Sequence, residues 1–123
     1  YIVMENLTYN RYVNVVYDLK GSERNRFQKD NSATQLDENL RKHMYEGSRS
    51  LHVSEPCKDT FTDCINSDTH FLSTLEIMDY SLLVCVDDES ASLYVGIIDY
   101  VRQYTVDKQL ETWVKSSIIP QNK

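Results

Sequence analysis

Cysteine is scarce and unpatterned in this chain. Cys57, Cys64 and Cys85 are an odd number without framework spacing, which argues against a disulfide scaffold and for a reducing, intracellular compartment. Cys-x-x-Cys and His-x-x-x-His spacings are missing, and His43, His52 and His70 stand apart, so no zinc site is indicated. No apolar run approaches the ~18 residues that span a bilayer. Positive charge is in deficit: 13 Lys and Arg against 19 Asp and Glu leave a net charge of −6, which argues against nucleic acid or a polybasic membrane patch. There is no repeat, low-complexity tract, initial Met or signal peptide. Tyr1-Ile2-Val3-Met4 reads as a strand already under way, so an internal piece of a longer protein is expected.

What is present is core material. Of the 123 residues 41% are hydrophobic and nine are tyrosine, enough for one domain or part of one. After the break at Glu5-Asn6, the Val- and Tyr-rich run from Tyr12 to Leu19 predicts a strand that Lys20-Gly21-Ser22 ends with a turn. Residues 23–32 are polar loop. Thr34 and Asp37 form a loose capping box for a helix with Leu36, Leu40 and Met44 on one stripe, ended by Gly47. Residues 48–62, with Pro56, read as loop or insertion. Ser67 or Asp68 caps a short helix with Phe71, Leu72 and Leu75 on one face. Ile77–Val86 and Leu93–Val101 are two strands joined by a short polar link, an antiparallel hairpin whose tip carries the solvated acids Asp87, Asp88 and Glu89. Asp107 caps a last helix with Leu110, Trp113 and Val114 inward. The fold class is α+β.

Three runs carry chemistry: Asp18-Leu19-Lys20-Gly21-Ser22, Met78-Asp79-Tyr80-Ser81-Leu82-Leu83 and Gly96-Ile97-Ile98-Asp99-Tyr100. Strand interiors avoid Asp, so each acid beside an apolar stretch needs a reason. Asp79 and Asp99 fall on strands expected to pair. Neighbouring carboxylates repel unless a metal, a cation or a shared proton lies between them. A lone Asp of this kind reads most plainly as a strand-end residue facing solvent. The matching frames Ile77-Met78 and Ile97-Ile98, with Lys20-Gly21-Ser22 upstream, weigh against that reading. Phosphoryl transfer needs this set: carboxylates for magnesium and the attacking hydroxyl, and cations against phosphate.

In this order the runs resemble the signature of the phosphatidylinositol phosphate kinases over nearly the whole chain. The resemblance is closest to the type III, PIKfyve-like phosphatidylinositol 3-phosphate 5-kinases, which the runs 67–72 and 96–115 resemble in particular. It implies a partial phosphatidylinositol phosphate kinase-like fold, distantly protein-kinase-like, with antiparallel strands and flanking helices. Residues 1–123 would run from the hinge strand to the helix after the magnesium-binding strand, without the glycine-rich loop or the activation loop. ATP and Mg2+ are the implied cofactors. Asp79 becomes the catalytic aspartate, Asp99 the magnesium ligand, and Met4-Glu5-Asn6-Leu7 the hinge that meets adenine by its main chain. Lys20 lies beside the transferring phosphate or the lipid phosphate, and Gly21 lets backbone approach there. Asp18 supports that site or orients Lys20 as an ion pair. Arg24 and Arg26 suit bidentate phosphate recognition.

The chain departs from the family at Glu23, where an apolar residue is common, at residues 54–63, and at Cys85, where glycine is common. Cys85 is expected to be a packed thiol. The implied partners are a phosphoinositide at a membrane surface, with the parent peripheral on endosomal membrane, and the remaining lobe and regulatory domains of the parent. Nucleic acid is not among them. The isolated piece is expected to be inactive. The competing readings are a pseudokinase or scaffold fragment and a phosphoinositide kinase of other regiospecificity.

Overall fold

The Val- and Tyr-rich run is a strand only over its last five residues. In the computed structural model, which describes residues 3–22 and 24–104, β1 is Val15–Leu19. The ladder stops at Asn14, whose N–H donates to the Val86 carbonyl at 2.8 Å and whose Oδ1 accepts the N–H of Asp88 at 2.7 Å. β1 pairs in parallel with the two-residue β2 (Gln35–Leu36) and antiparallel with β4 (Ser81–Asp87). β5 (Ser92–Ile98) pairs antiparallel with β4, giving the order β2-β1-β4-β5. A separate short ladder joins β3 (Ile77–Met78) to β6 (Arg102–Gln103). With helices α1 (Asp37–Tyr45) and α2 (Glu55–Thr74) the content is α+β with mainly antiparallel strands.

Register decides which side chains share a face, because strand residues alternate. Tyr17 opposes Val84, and Val84 opposes Val95. That face is the core, built on the buried Tyr17, Val84 and Val86 with Leu19, Leu40, Leu51, Leu82 and Leu93 against it. The Tyr17 hydroxyl is satisfied in this apolar setting by Nδ1 of His43, 2.8 Å away. The other face carries Cys85, Tyr94 and Gly96, and the chain before β1 crosses it. Arg11 stacks 4.0 Å above the Tyr94 ring. The Leu7 side chain lies where a Cβ on Gly96 would stand, at 2.8 Å. A methyl at position 96 would push the Leu7 side chain aside. Cys85 is fully buried, and burial pushes its thiol pKa up against a smaller opposing effect of Arg11. It is a packed thiol, as expected.

Several local expectations change. The Thr34–Asp37 capping box does not form, because α1 begins at Asp37. Asn39 caps it instead: its Oδ1 accepts the N–H of Leu36 at 3.2 Å and that of Gln28 at 2.8 Å. Leu40 packs on the core, but Met44 is 54% exposed. Residues 55–66 are helix rather than loop. Pro56 sits in the first turn of α2, where its missing N–H costs nothing. Phe61, Ile65, Thr69 and Leu72 then turn to the sheet, leaving Phe71 60% exposed and Leu75 also outside. At the hairpin tip Asp87 is buried and accepts from Glu89 N, Ser90 N and Ser90 Oγ. Asp88 pairs with Arg49 at 2.6 Å, so two of the three tip acids are engaged rather than simply solvated.

Val3 and Met4 are exposed and not in a strand, since no described strand lies beside them to form a ladder. Tyr1, Ile2 and the helix expected from Asp107 lie outside the described residues. No described helix is long and apolar enough to cross a membrane.

Candidate functional site

The two short runs with Asp79 and Asp99 meet where the hairpin loses register. Below the break Ser81 opposes Ile98, and above it Met78 opposes Arg102. Two residues, Asp79 and Tyr80, therefore face three, 99–101, and regular pairing is interrupted. Asp79 and Asp99 each open this break on their own strand, both with φ +61°. They are thus not strand-interior residues as expected. Left-handed backbone strains most side chains, and Asp tolerates it through its short polar group. Outliers of this kind gather at functional sites.

Both carboxylates are exposed. Asp79 accepts from Arg102 Nη1 at 2.9 Å, with side chains 47% and 54% exposed. Solvent screening holds such a pair to roughly 1 kcal/mol or less. Asp99 has no hydrogen-bond or ion-pair partner among the described residues. Lys20 reaches the same break from β1, its Nζ donating to the main-chain carbonyl of Asp79. It contacts backbone there, not a carboxylate.

Asp18 does not orient Lys20. Its carboxylate accepts from Arg26 Nη2 at 2.8 Å, and its carbonyl accepts from the same nitrogen at 2.7 Å. Arg26 Nε donates to Asp37 at 2.7 Å. The Arg26 guanidinium is therefore bound by two acids of this chain rather than open to phosphate. Burial alone would lower its pKa, but hydrogen bonds to Asp37 and Asp18 outweigh this and raise it. Arg24 is exposed, and its main chain exchanges hydrogen bonds with the Ser22 hydroxyl. Gly21 adopts φ +69°, and a Cβ there would meet nothing within 4 Å. The left-handed turn calls for glycine here, and the space beside it is open. In the expected hinge, Asn6 Oδ1 accepts from the N–H and hydroxyl of Thr8, and Leu7 packs at Gly96. Met4 and Glu5 are exposed.

Two residues were not singled out by sequence for this site. Arg102 escapes because its partner depends on the lost register. Asp37 was assigned to a capping box, yet its carboxylate accepts from Lys20 N at 3.1 Å, Ser22 N at 3.2 Å and Arg26 Nε at 2.7 Å. Burial raises its pKa, and these bonds more than reverse that, holding it below the ordinary 3.8. A carboxyl lowered on folding contributes stability that is complete above its unfolded pKa, about 3.8, and is lost as pH falls through the folded value. In the parent catalytic domain, Asp37→Asn should therefore flatten the acid limb of stability below about pH 4, read by circular dichroism. An unchanged acid limb would detach Asp37 from that linkage.

A cleft of about 580 Å³ lies against this region, lined among others by Lys20, Gly21, Ser22, Arg41, Thr69 and Tyr80. No cluster of three or more acidic, His or Cys side chains suited to a metal occurs among the described residues. Magnesium bound with a nucleotide does not need one: one or two hard carboxylates plus phosphates and water complete its shell. Asp99, exposed and without a partner among the described residues, fits that requirement.

A sequence profile of the phosphatidylinositol-4-phosphate 5-kinase family matches residues 1–92. The chain is 48% identical over 122 residues to a 1-phosphatidylinositol 3-phosphate 5-kinase of Homo sapiens. It is 43% identical over 117 residues to that of Saccharomyces cerevisiae and 46% over 119 to a 1-phosphatidylinositol-3-phosphate 5-kinase of Arabidopsis thaliana. These alignments cover 94%, 93% and 94% of this chain but only 6%, 5% and 7% of the respective relatives.

Proposed function

The chain belongs to the phosphatidylinositol-4-phosphate 5-kinase family, and on that premise we propose that it is the centre of a lipid kinase domain with the protein-kinase-like fold of that family. The parent transfers the γ-phosphoryl of ATP to the 5-hydroxyl of phosphatidylinositol 3-phosphate, giving the 3,5-bisphosphate. The names of the curated relatives support the substrate. The observation that carries the reaction is the ladder break, which two acids with matching left-handed backbone share and which a lysine reaches from the end of β1.

Asp79 orients the inositol hydroxyl and takes its proton. Orientation is the larger service, since phosphoryl transfer has a loose transition state with little covalent work for the protein. Asp99 would hold Mg2+, which when bound with ATP neutralises charge on the phosphates. Lys20 presents its ammonium beside the same break, where it opposes the charge of the transferring or lipid phosphate. The main chain of residues 4–7 meets adenine. The parent works peripherally on endosomal membrane, with segments outside this chain completing the nucleotide site and the membrane-facing surface.

The test offers phosphatidylinositol 3-phosphate and 4-phosphate side by side in vesicles to the full-length parent with radiolabelled ATP. Product should come from the 3-phosphate at least tenfold faster. Preference for the 4-phosphate would retain the kinase and overturn its regiospecificity. Label on neither lipid, from a folded protein, would leave a scaffold.

A further inference from the structure

Asp37 does more than tie a loop to a helix. We propose that Asp37 is a positioning residue for phosphoryl transfer, fixing Lys20 by its main chain so that the ammonium reaches the Asp79 turn. This rests on the role given to Lys20 above.

A lysine side chain is a flexible four-carbon stem, so its reach depends on how firmly its Cα is held. After β1 the chain turns through Gly21, and the N–H groups of Lys20 and Ser22 converge on one oxygen of Asp37 at 3.1 and 3.2 Å. Converging backbone N–H groups around a left-handed residue make a concavity that binds anions. Here the anion belongs to the protein. The loop therefore offers phosphate its ammonium and not these two amides.

The carboxylate is itself held. Asp37 is the first residue of α1 and only 7% exposed, and a helix start favours negative charge. Its second oxygen accepts from Arg26 Nε at 2.7 Å, and the other arm of Arg26 grips both the carbonyl and the carboxylate of Asp18 in β1. Strand, loop and helix form a closed circuit, and Lys20 leaves it toward Asp79, 59 residues away in sequence. Asn at position 37 breaks the circuit with nearly the same volume: one amide oxygen cannot serve both the loop and Arg26, and its NH2 opposes another donor.

The experiment measures kcat, KM for ATP and melting temperature of the full-length parent on phosphatidylinositol 3-phosphate vesicles, for Lys20→Met, Asp37→Asn and the double variant. Misplacing a reacting group by about 1 Å can cost about a hundredfold, so Asp37→Asn should lower kcat about thirtyfold, with KM for ATP within about twofold. On the Lys20→Met background it should lower kcat by less than about twofold more, while its cost in melting temperature persists. Unchanged kcat in Asp37→Asn, or losses that multiply in the double variant, would overturn the proposal. Gly21→Ala, which has room for its methyl and disturbs only the left-handed turn, carries the same comparison if Asp37→Asn does not fold. Wild-type kcat in Lys20→Met would instead overturn the reading of Lys20 itself.

Discussion

Asp79→Asn in the full-length parent lowers transfer to phosphatidylinositol 3-phosphate by about a thousandfold, within the range for losing a positioned general base, and leaves the fold alone. Three features make the substitution clean. Asn tolerates the φ of +61° at this position as well as Asp does. The pair with Arg102 is about half-exposed, so its loss costs under about 1 kcal/mol. Lys20 bonds the main-chain carbonyl of residue 79, which the substitution keeps. The fall should therefore appear in kcat, with KM for ATP and the melting temperature close to wild type. A variant that keeps kcat within about fivefold would remove Asp79 from contact with the hydroxyl, since proton transfer contributes at least about a hundredfold.

The second large effect is at Asp99, and its signature differs. Asp99 has no partner among the described residues, so Asn there forfeits no internal bond and leaves no buried group unsatisfied. It removes one of two like charges at the break, and stability holds or rises slightly. Activity at ordinary magnesium should fall by about a thousandfold, because a metal ligand supports several kcal/mol of charge stabilisation. Raising Mg2+ should recover part of it, whereas Asp79→Asn should not respond. A magnesium titration of both variants separates a ligand from a hydroxyl-facing carboxylate. Equal, magnesium-independent losses would take the metal role from Asp99.

Arg102 complicates the first result in an informative way. It faces Met78 across the second ladder, and its guanidinium holds Asp79. An arginine there fixes the direction of the carboxylate, as hydrogen-bonded cations do. Nothing in the run of residues 99–104 announces this, because the pairing follows from one strand having an extra residue at the break.

The hairpin, the first helix and the acids beside the apolar frames were all legible in sequence. The near-continuous apolar runs over 82–86 and 93–98, the polar link between them, and the Leu40 stripe are local signals, and local backbone preference answers to them. The polar first half of α2 was misread because an edge helix buries only a thin stripe. Ser54 before Pro56, with Phe61, Ile65 and Leu72 at helical spacing, was the signal available.

Sequence by itself determined that this chain is α+β, that two acids follow short apolar frames, and that a lysine and a glycine follow a strand. Those properties depend on residues a few positions apart. Tertiary structure alone decided that Asp79 and Asp99 share a ladder break, that Asp18 and Asp37 take Arg26, and that Lys20 turns to the backbone of Asp79. A guanidinium or a carboxylate bonds whichever partner packing brings within about 3 Å, and the partners here come from different strands, loops and helices.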